Sequence, residues 1–161
     1  MSISFGSTGI KPYVGSKEVQ EAYVGSTLVY RAGPGSNYVF LGTADGYYLA
    51  DWCTYENGGI EQDSGIYKIR LDGSFQGQGK ITLNMKSGNN YTALKFAGRC
   101  KAGSSASLVL KISVDGGAAK DVTLTYKEKE FSVPVNANAQ TIVIKNNSVA
   151  YAALLNNIYL E

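Results

Sequence analysis

The chain contains no histidine, which removes the commonest general base and metal ligand at neutral pH. A Ser-His or Cys-His nucleophile therefore cannot be built within one copy. Its two cysteines, Cys53 and Cys100, stand far apart and outside any CxxC spacing. They offer no paired thiolates to a structural metal and read as two reduced core thiols rather than a disulfide. No Gly-rich segment ends in the Gly-Lys-Ser/Thr of a phosphate loop. What remains is oxygen chemistry. Asp45, Asp51, Glu56, Glu61 and Asp63 crowd one stretch, where two carboxylates would suit glycoside hydrolysis. Acids that bond their own backbone in turns are the simpler account. Asp63, Asp72 and Asp115 offer hard ligands for Ca²⁺, but no DxDxDG-like loop gathers them. The expectation is no enzyme, no cofactor and no metal.

The residues best suited to a ligand are aromatic. Tyr47, Tyr48, Trp52 and Tyr55 lie among Asp45, Asp51, Glu56, Asn57 and Gln62. Sugars present flat C–H faces that pack on aromatic rings, while their hydroxyls bond carboxylates and amides. The expected glycan platform is Tyr47, Trp52 and Tyr55 with Asp51, Glu56 and Asn57. Strict alternation places Tyr48 and Trp52 on one face of a strand and Tyr47 on the other, so part of the cluster must be core. Cys53 discriminates: buried beside Trp52, it makes this strand core and shrinks the platform.

These residues need a scaffold, and the composition specifies an all-β one. Charged residues are 17% of the chain, tyrosines number 12, glycines 19 and prolines 3. No long stretch has helical periodicity. Beyond Ala32-Gly33-Pro34-Gly35-Ser36, taken as the linker, short apolar runs alternate with turn residues. The expected strands are 37–41, 46–54, 66–71, 80–86, 91–102, 107–114, 120–126, 130–135, 141–146 and 154–160. Gly58-Gly59 and Asp63-Ser64-Gly65 read as loops, and Asp115-Gly116-Gly117 as a hairpin turn. Phe131 is assigned to the core and Tyr151 to more open ground. Many short strands at close spacing predict an antiparallel β-sandwich of jelly-roll type over 37–161.

Ahead of it the chain writes one phrase twice, YVGSKEVQEA and YVGSTLVYRA, over residues 13–32. Each copy reads as strand, Gly-Ser turn, strand, with too little apolar surface to stand alone. Residues 1–33 are thus expected to form an arm and a β-hairpin repeat that docks on something larger. The assembly residues would be Tyr13, Val14, Val19, Tyr23, Val24, Leu28, Val29 and Tyr30.

Two resemblances follow. The segment IKPYVGSKEVQEAYVGSTLVYRAG resembles a short module of bacteriophage structural proteins, in which YVGS-x-x-V phrases end in LVY. From Tyr91 onward, YTALKFAGRCKAG, LVLKISVDG, DVTLTYKEKEFSVPV and ALLNNIYLE resemble jelly-roll carbohydrate-binding modules. Tyr126 and Phe131 flank the place where those modules carry a tryptophan that is absent here. Together the resemblances imply a virion accessory protein, a head decoration or a tail or baseplate component. It would attach through its repeat to other virion proteins and to copies of itself, as a homo-oligomer such as a trimer. The alternative is a carbohydrate-binding adhesin or receptor-binding module that meets a surface polysaccharide. A formal net charge of +2 with scattered basic residues gives no nucleic-acid footprint. No apolar run reaches membrane-spanning length. The opening MSISFGSTGIKPYV has no basic stretch followed by an apolar one, so the expectation is cytoplasmic synthesis and residence in the virion.

Overall fold

The computed structural model describes residues 37–85 and 88–161, together with the backbone of four short N-terminal strands. The chain divides into two compact units, 1–36 and 37–161. In the first, β1 (Tyr13–Val14) pairs with β2 (Lys17–Glu18), and β3 (Glu21–Val24) with β4 (Thr27–Arg31), both antiparallel. Val14 faces Lys17 and Val24 faces Thr27 across these two pairs. The arm of the first ten residues, Val19 and the 32–36 linker lie outside the described residues. So do the side chains of Tyr13, Val14, Tyr23, Val24, Leu28, Val29 and Tyr30.

Among the described residues, the second unit is all β apart from one 3₁₀ turn, Ser74–Gln76. Its strands are β5 (Tyr38–Gly42), β6 (Tyr47–Leu49), β7 (Cys53–Glu56), β8 (Gly58–Asp63), β9 (Ile66–Leu71), β10 (Lys80–Asn84), β11 (Ala93–Lys101), β12 (Ser107–Val114), β13 (Lys120–Thr125), β14 (Lys129–Pro134), β15 (Thr141–Asn146) and β16 (Ala152–Leu160). Five form one sheet in the order β13-β12-β15-β10-β7. The other seven follow the order β14-β11-β16-β5-β6, with β9 also on β16 and β8 on β9. The pairings are antiparallel, so the expected antiparallel β-sandwich is the fold observed.

Alternation decides which side chains meet between the sheets. Leu108, Leu110 and Ile112 of β12, Ile142 and Ile144 of β15, and Ile81 and Leu83 of β10 are buried from one side. Leu94, Phe96 and Cys100 of β11, with Leu155, Ile158 and Leu160 of β16, are buried from the other. The β12–β13 hairpin turns where Asp115 and Gly116 take φ of 49° and 71°. That left-handed geometry suits glycine and is tolerated by Asp. Asp115 Oδ1 also accepts the N–H groups of Gln140 and Thr141, at 2.8 Å each.

Two sequence readings need correction. The 46–54 stretch is not one strand. It breaks at Ala50, whose carbonyl accepts the Cys53 N–H, and the chain crosses there from the seven-stranded sheet (β6) to the five-stranded sheet (β7). Alternation therefore cannot be counted from Tyr47 through to Trp52. Second, Gly58-Gly59 and Asp63, read as loop, belong to a strand, since Gly58–Asp63 pairs with β9 in unbroken register, while Ser64-Gly65 forms the expected turn. Both cysteines are buried and unbridged, and burial pushes the Cys53 thiol up to about 12.

Candidate functional site

The crossing at Ala50 scatters the six residues expected to form a platform. Tyr47 stands at a rim of the seven-stranded sheet, 53% exposed, with its ring centroid 6.0 Å from Phe40 and 5.7 Å from Tyr67. Trp52 and Tyr55 are half-buried and pack on the core, beside buried Cys53. Asp51 is exposed in the turn. Glu56 points outward on β7, its carboxylate 3.0 Å from Lys80 Nζ. Asn57 takes φ 49° and donates its side-chain N–H to the Gly77 carbonyl at 2.8 Å. Tyr47 and Tyr55 thus belong to different sheets, and the six do not share one face. The acids weighed for catalysis or Ca²⁺ are also apart. Asp63 and Asp72 bond arginines, Asp115 holds backbone N–H groups, and among the described residues no three potential metal ligands gather.

A more continuous surface lies on the outward face of the seven-stranded sheet. Register lines up Ser132 of β14, Lys95 of β11, Tyr159 of β16 and Tyr38 of β5 in one row. Tyr159 must face outward because its neighbours Ile158 and Leu160 are fully buried. The Tyr38 and Tyr159 ring centroids lie 5.3 Å apart with planes inclined at 30°, and Lys95 Nζ meets the Glu161 carboxylate at 2.5 Å. The adjoining row carries Glu130, Ala97 and Asn156. Alanine there leaves space between longer side chains. Lys95, Glu130, Phe131, Asn157 and Tyr159 help line a notch of about 30 Å³, wide enough for one water or one small ring substituent.

A β-bulge shapes this face. The β11–β16 register shifts between Lys95 and Ala97, and Asn157 adopts φ 49°. Such bulges bend a strand and re-aim its side chains. Asn156 fills the interrupted ladder toward β5: its Oδ1 accepts the Gly42 N–H at 2.8 Å and its Nδ2 donates to the Gly42 carbonyl at 3.3 Å. The contact needs glycine at 42, since a Cβ there would lie 1.7 Å from the Tyr67 carbonyl oxygen. Sequence reading misses Tyr38, Lys95, Glu130, Asn156 and Tyr159 as site residues. The one local signal is the polar Asn156-Asn157 pair inside an apolar strand.

Beyond the bulge a charged cluster closes the same face. Arg99 bonds Asp63 through two nitrogens, at 3.0 and 2.5 Å. Lys68, only 4% exposed, reaches Asp63 at 3.0 Å and also pairs with Glu128. Glu61 takes Arg70 at 3.3 Å and Lys101 at 2.5 Å. Leu154 pairs with Arg99 on one side and Arg70 on the other and is wholly buried although it points away from the core. The Arg99 guanidinium, with help from Lys68, holds the Asp63 carboxyl at about 2 against the opposing effect of burial. Asp63 therefore stays ionised at neutral pH and serves as the acceptor at the centre of this cluster.

No family model and no curated protein matches the chain by sequence. Solved structures do match its fold. A mutant of a family 29 carbohydrate-binding module superimposes with a TM-score of 0.52 at 9% identity, over 76% of this chain and 88% of that one. A second family 29 module gives 0.52 at 10% identity, over 76% and 85%. An agarase gives 0.51 at 11% identity over 70% of this chain, which spans about a quarter of the agarase's length (24%). The class these likenesses define is the β-sandwich of carbohydrate-binding modules, and at such identities they speak for the fold alone.

Proposed function

We propose that residues 37–161 form a non-catalytic carbohydrate-binding module whose platform is the row Ser132–Lys95–Tyr159–Tyr38. The carrying observation is the half-buried, outward-facing Tyr38–Tyr159 pair set beside Lys95, Glu130 and the Asn157 notch. Two tilted rings offer a sugar its C–H stacking surface, and the flanking polar groups suit its hydroxyls. The test is titration of the full chain against a panel of neutral polysaccharides, agar included. Tyr159→Ala is expected to weaken binding at least tenfold and Tyr38→Ala severalfold, both with unchanged melting. The competing platform is Tyr47, Trp52 and Tyr55 with Asp51, Glu56 and Asn57. Loss of binding in Tyr47→Ala with retention in Tyr159→Ala would move the site to that rim.

The paired hairpins of the repeat favour a further element of this reading: the N-terminal unit attaches the module to an assembly. A small β element with open edges can be completed by another chain, and the phage-module resemblance makes a virion the natural particle. Light scattering of the full chain and of residues 35–161 tests it. The expected result is a defined oligomer for the first and a folded monomer for the second. A truncated chain with the full-length oligomeric state would sink the attachment role.

A further inference from the structure

The outward face of the five-stranded sheet carries a second charged row that the glycan platform does not use. Register sets Asp121, Lys111, Lys145, Lys80 and Glu56 side by side across β13, β12, β15, β10 and β7. Three lysines thus stand directly opposite one another on adjacent strands, about 4.8 Å apart, an arrangement that costs stability when nothing neutralises it. The end acids answer only their neighbours: Asp121 bonds Lys111 at 3.1 Å and Glu56 meets Lys80 at 3.0 Å. Among the described residues, exposed Lys145 has no acidic partner. Lysines on edge strands discourage sheet-to-sheet pairing, but β15 is the central strand of this sheet, so that explanation does not reach Lys145.

We infer that this face binds a carboxylate-bearing polysaccharide, with Lys145 as the primary anion contact and Lys111 and Lys80 beside it. The charge complements a polyuronate. The next row, with Ser113, Thr82 and Thr54 around Val143, supplies hydroxyl groups for sugar oxygens on a flat surface. The outward positions of these five strands hold no aromatic side chain on which nucleic-acid bases could stack, which sets a glycan above a nucleic acid.

The experiment measures binding of the full chain to polygalacturonate, neutral dextran and single-stranded DNA at low and moderate salt. The expected result is polygalacturonate binding that weakens as salt rises, no dextran binding on this face, and at least a tenfold loss in Lys145→Glu. Lys145→Gln is also expected to lose affinity while melting no lower than the parent, because it removes like-charge crowding. Polygalacturonate should raise the melting temperature of the parent and not of Lys145→Gln. Tyr159→Ala should keep polygalacturonate affinity, which separates this surface from the proposed platform. Unchanged affinity in both Lys145 variants, loss only in Tyr159→Ala, or tighter DNA than polygalacturonate binding would each overturn the inference.

Discussion

Replacing Asp63 by Asn lowers the melting temperature of the protein by roughly 10 °C at neutral pH, and the deficit shrinks in acid. Asp63 is the hub at which Arg99 and buried Lys68 meet. The amide keeps the shape but removes the charge, so Lys68 is left buried with Glu128 as its remaining acid. Breaking a buried pair in this way costs about 3 kcal/mol, since the remaining charge is desolvated without full compensation, and for a domain of this size that corresponds to the shift stated. The sign with pH follows from the depressed folded value of about 2. The carboxylate's contribution is complete above its unfolded value near 4 and is lost as pH falls through about 2. The gap between parent and variant should therefore stay constant from about pH 8 to 5 and narrow below about pH 4. Melting curves across that range check it; a gap that is absent at pH 7, or equal at pH 7 and 2.5, contradicts the hub role.

The strands legible in the sequence are those marked by local alternation or bounded by turn signals. Ile66–Leu71, Ser107–Val114 and Thr141–Asn146 begin and end where the sequence pattern places them. Alternation marks the last two, the first two stop at Asp-Gly turn signals, and Ile66–Leu71 departs from alternation by exposing Ile66 and burying Lys68. Gly58–Asp63 is illegible because its two glycines and single apolar Ile60 look like a loop. It is a strand because β9 presents an edge to pair with, and a Cβ on Gly58 would lie 2.0 Å from the Arg70 carbonyl oxygen, so the glycine permits the approach. The residues of the expected platform are dispersed for a related reason. Tyr47 and Tyr55 are close in sequence, yet a turn at Ala50 sends them to different sheets. Tyr38, Lys95 and Tyr159 are remote in sequence and become neighbours only through strand register, which no local pattern states. The charged row through Lys145 is hidden in the same way, one or two residues per strand.

Asn146 gives the largest single effect expected in the domain. Its side chain is fully buried at the end of β15, where Nδ2 donates to the carbonyls of Leu71 and Tyr151 at 2.9 and 2.8 Å and Oδ1 accepts the Ser148 N–H at 2.9 Å. Its own N–H bonds the Gly79 carbonyl. One amide thus ties the end of β9, the approach to β10 and the 147–151 loop, whose backbone in turn accepts the N–H groups of Ser74 and Phe75. Asn146→Leu keeps the number and branching of the heavy atoms and is apolar in an apolar setting, so burial considered alone would favour it. Hydrogen bonding reverses the sign, because Leu strands two carbonyls and one N–H. At about 1–3 kcal/mol for each buried group left unsatisfied, the expected loss is about 4 kcal/mol in urea denaturation. Asn146→Asp fares no better: it can still accept from Ser148 but loses both donors and buries a charge. The neighbouring Asn147 is exposed, and Asn147→Leu should stay within about 0.5 kcal/mol of the parent. Equal stability of Asn146→Leu and the parent would show that water enters to satisfy the stranded groups, and the amide would then be a convenience of this corner rather than its fastener.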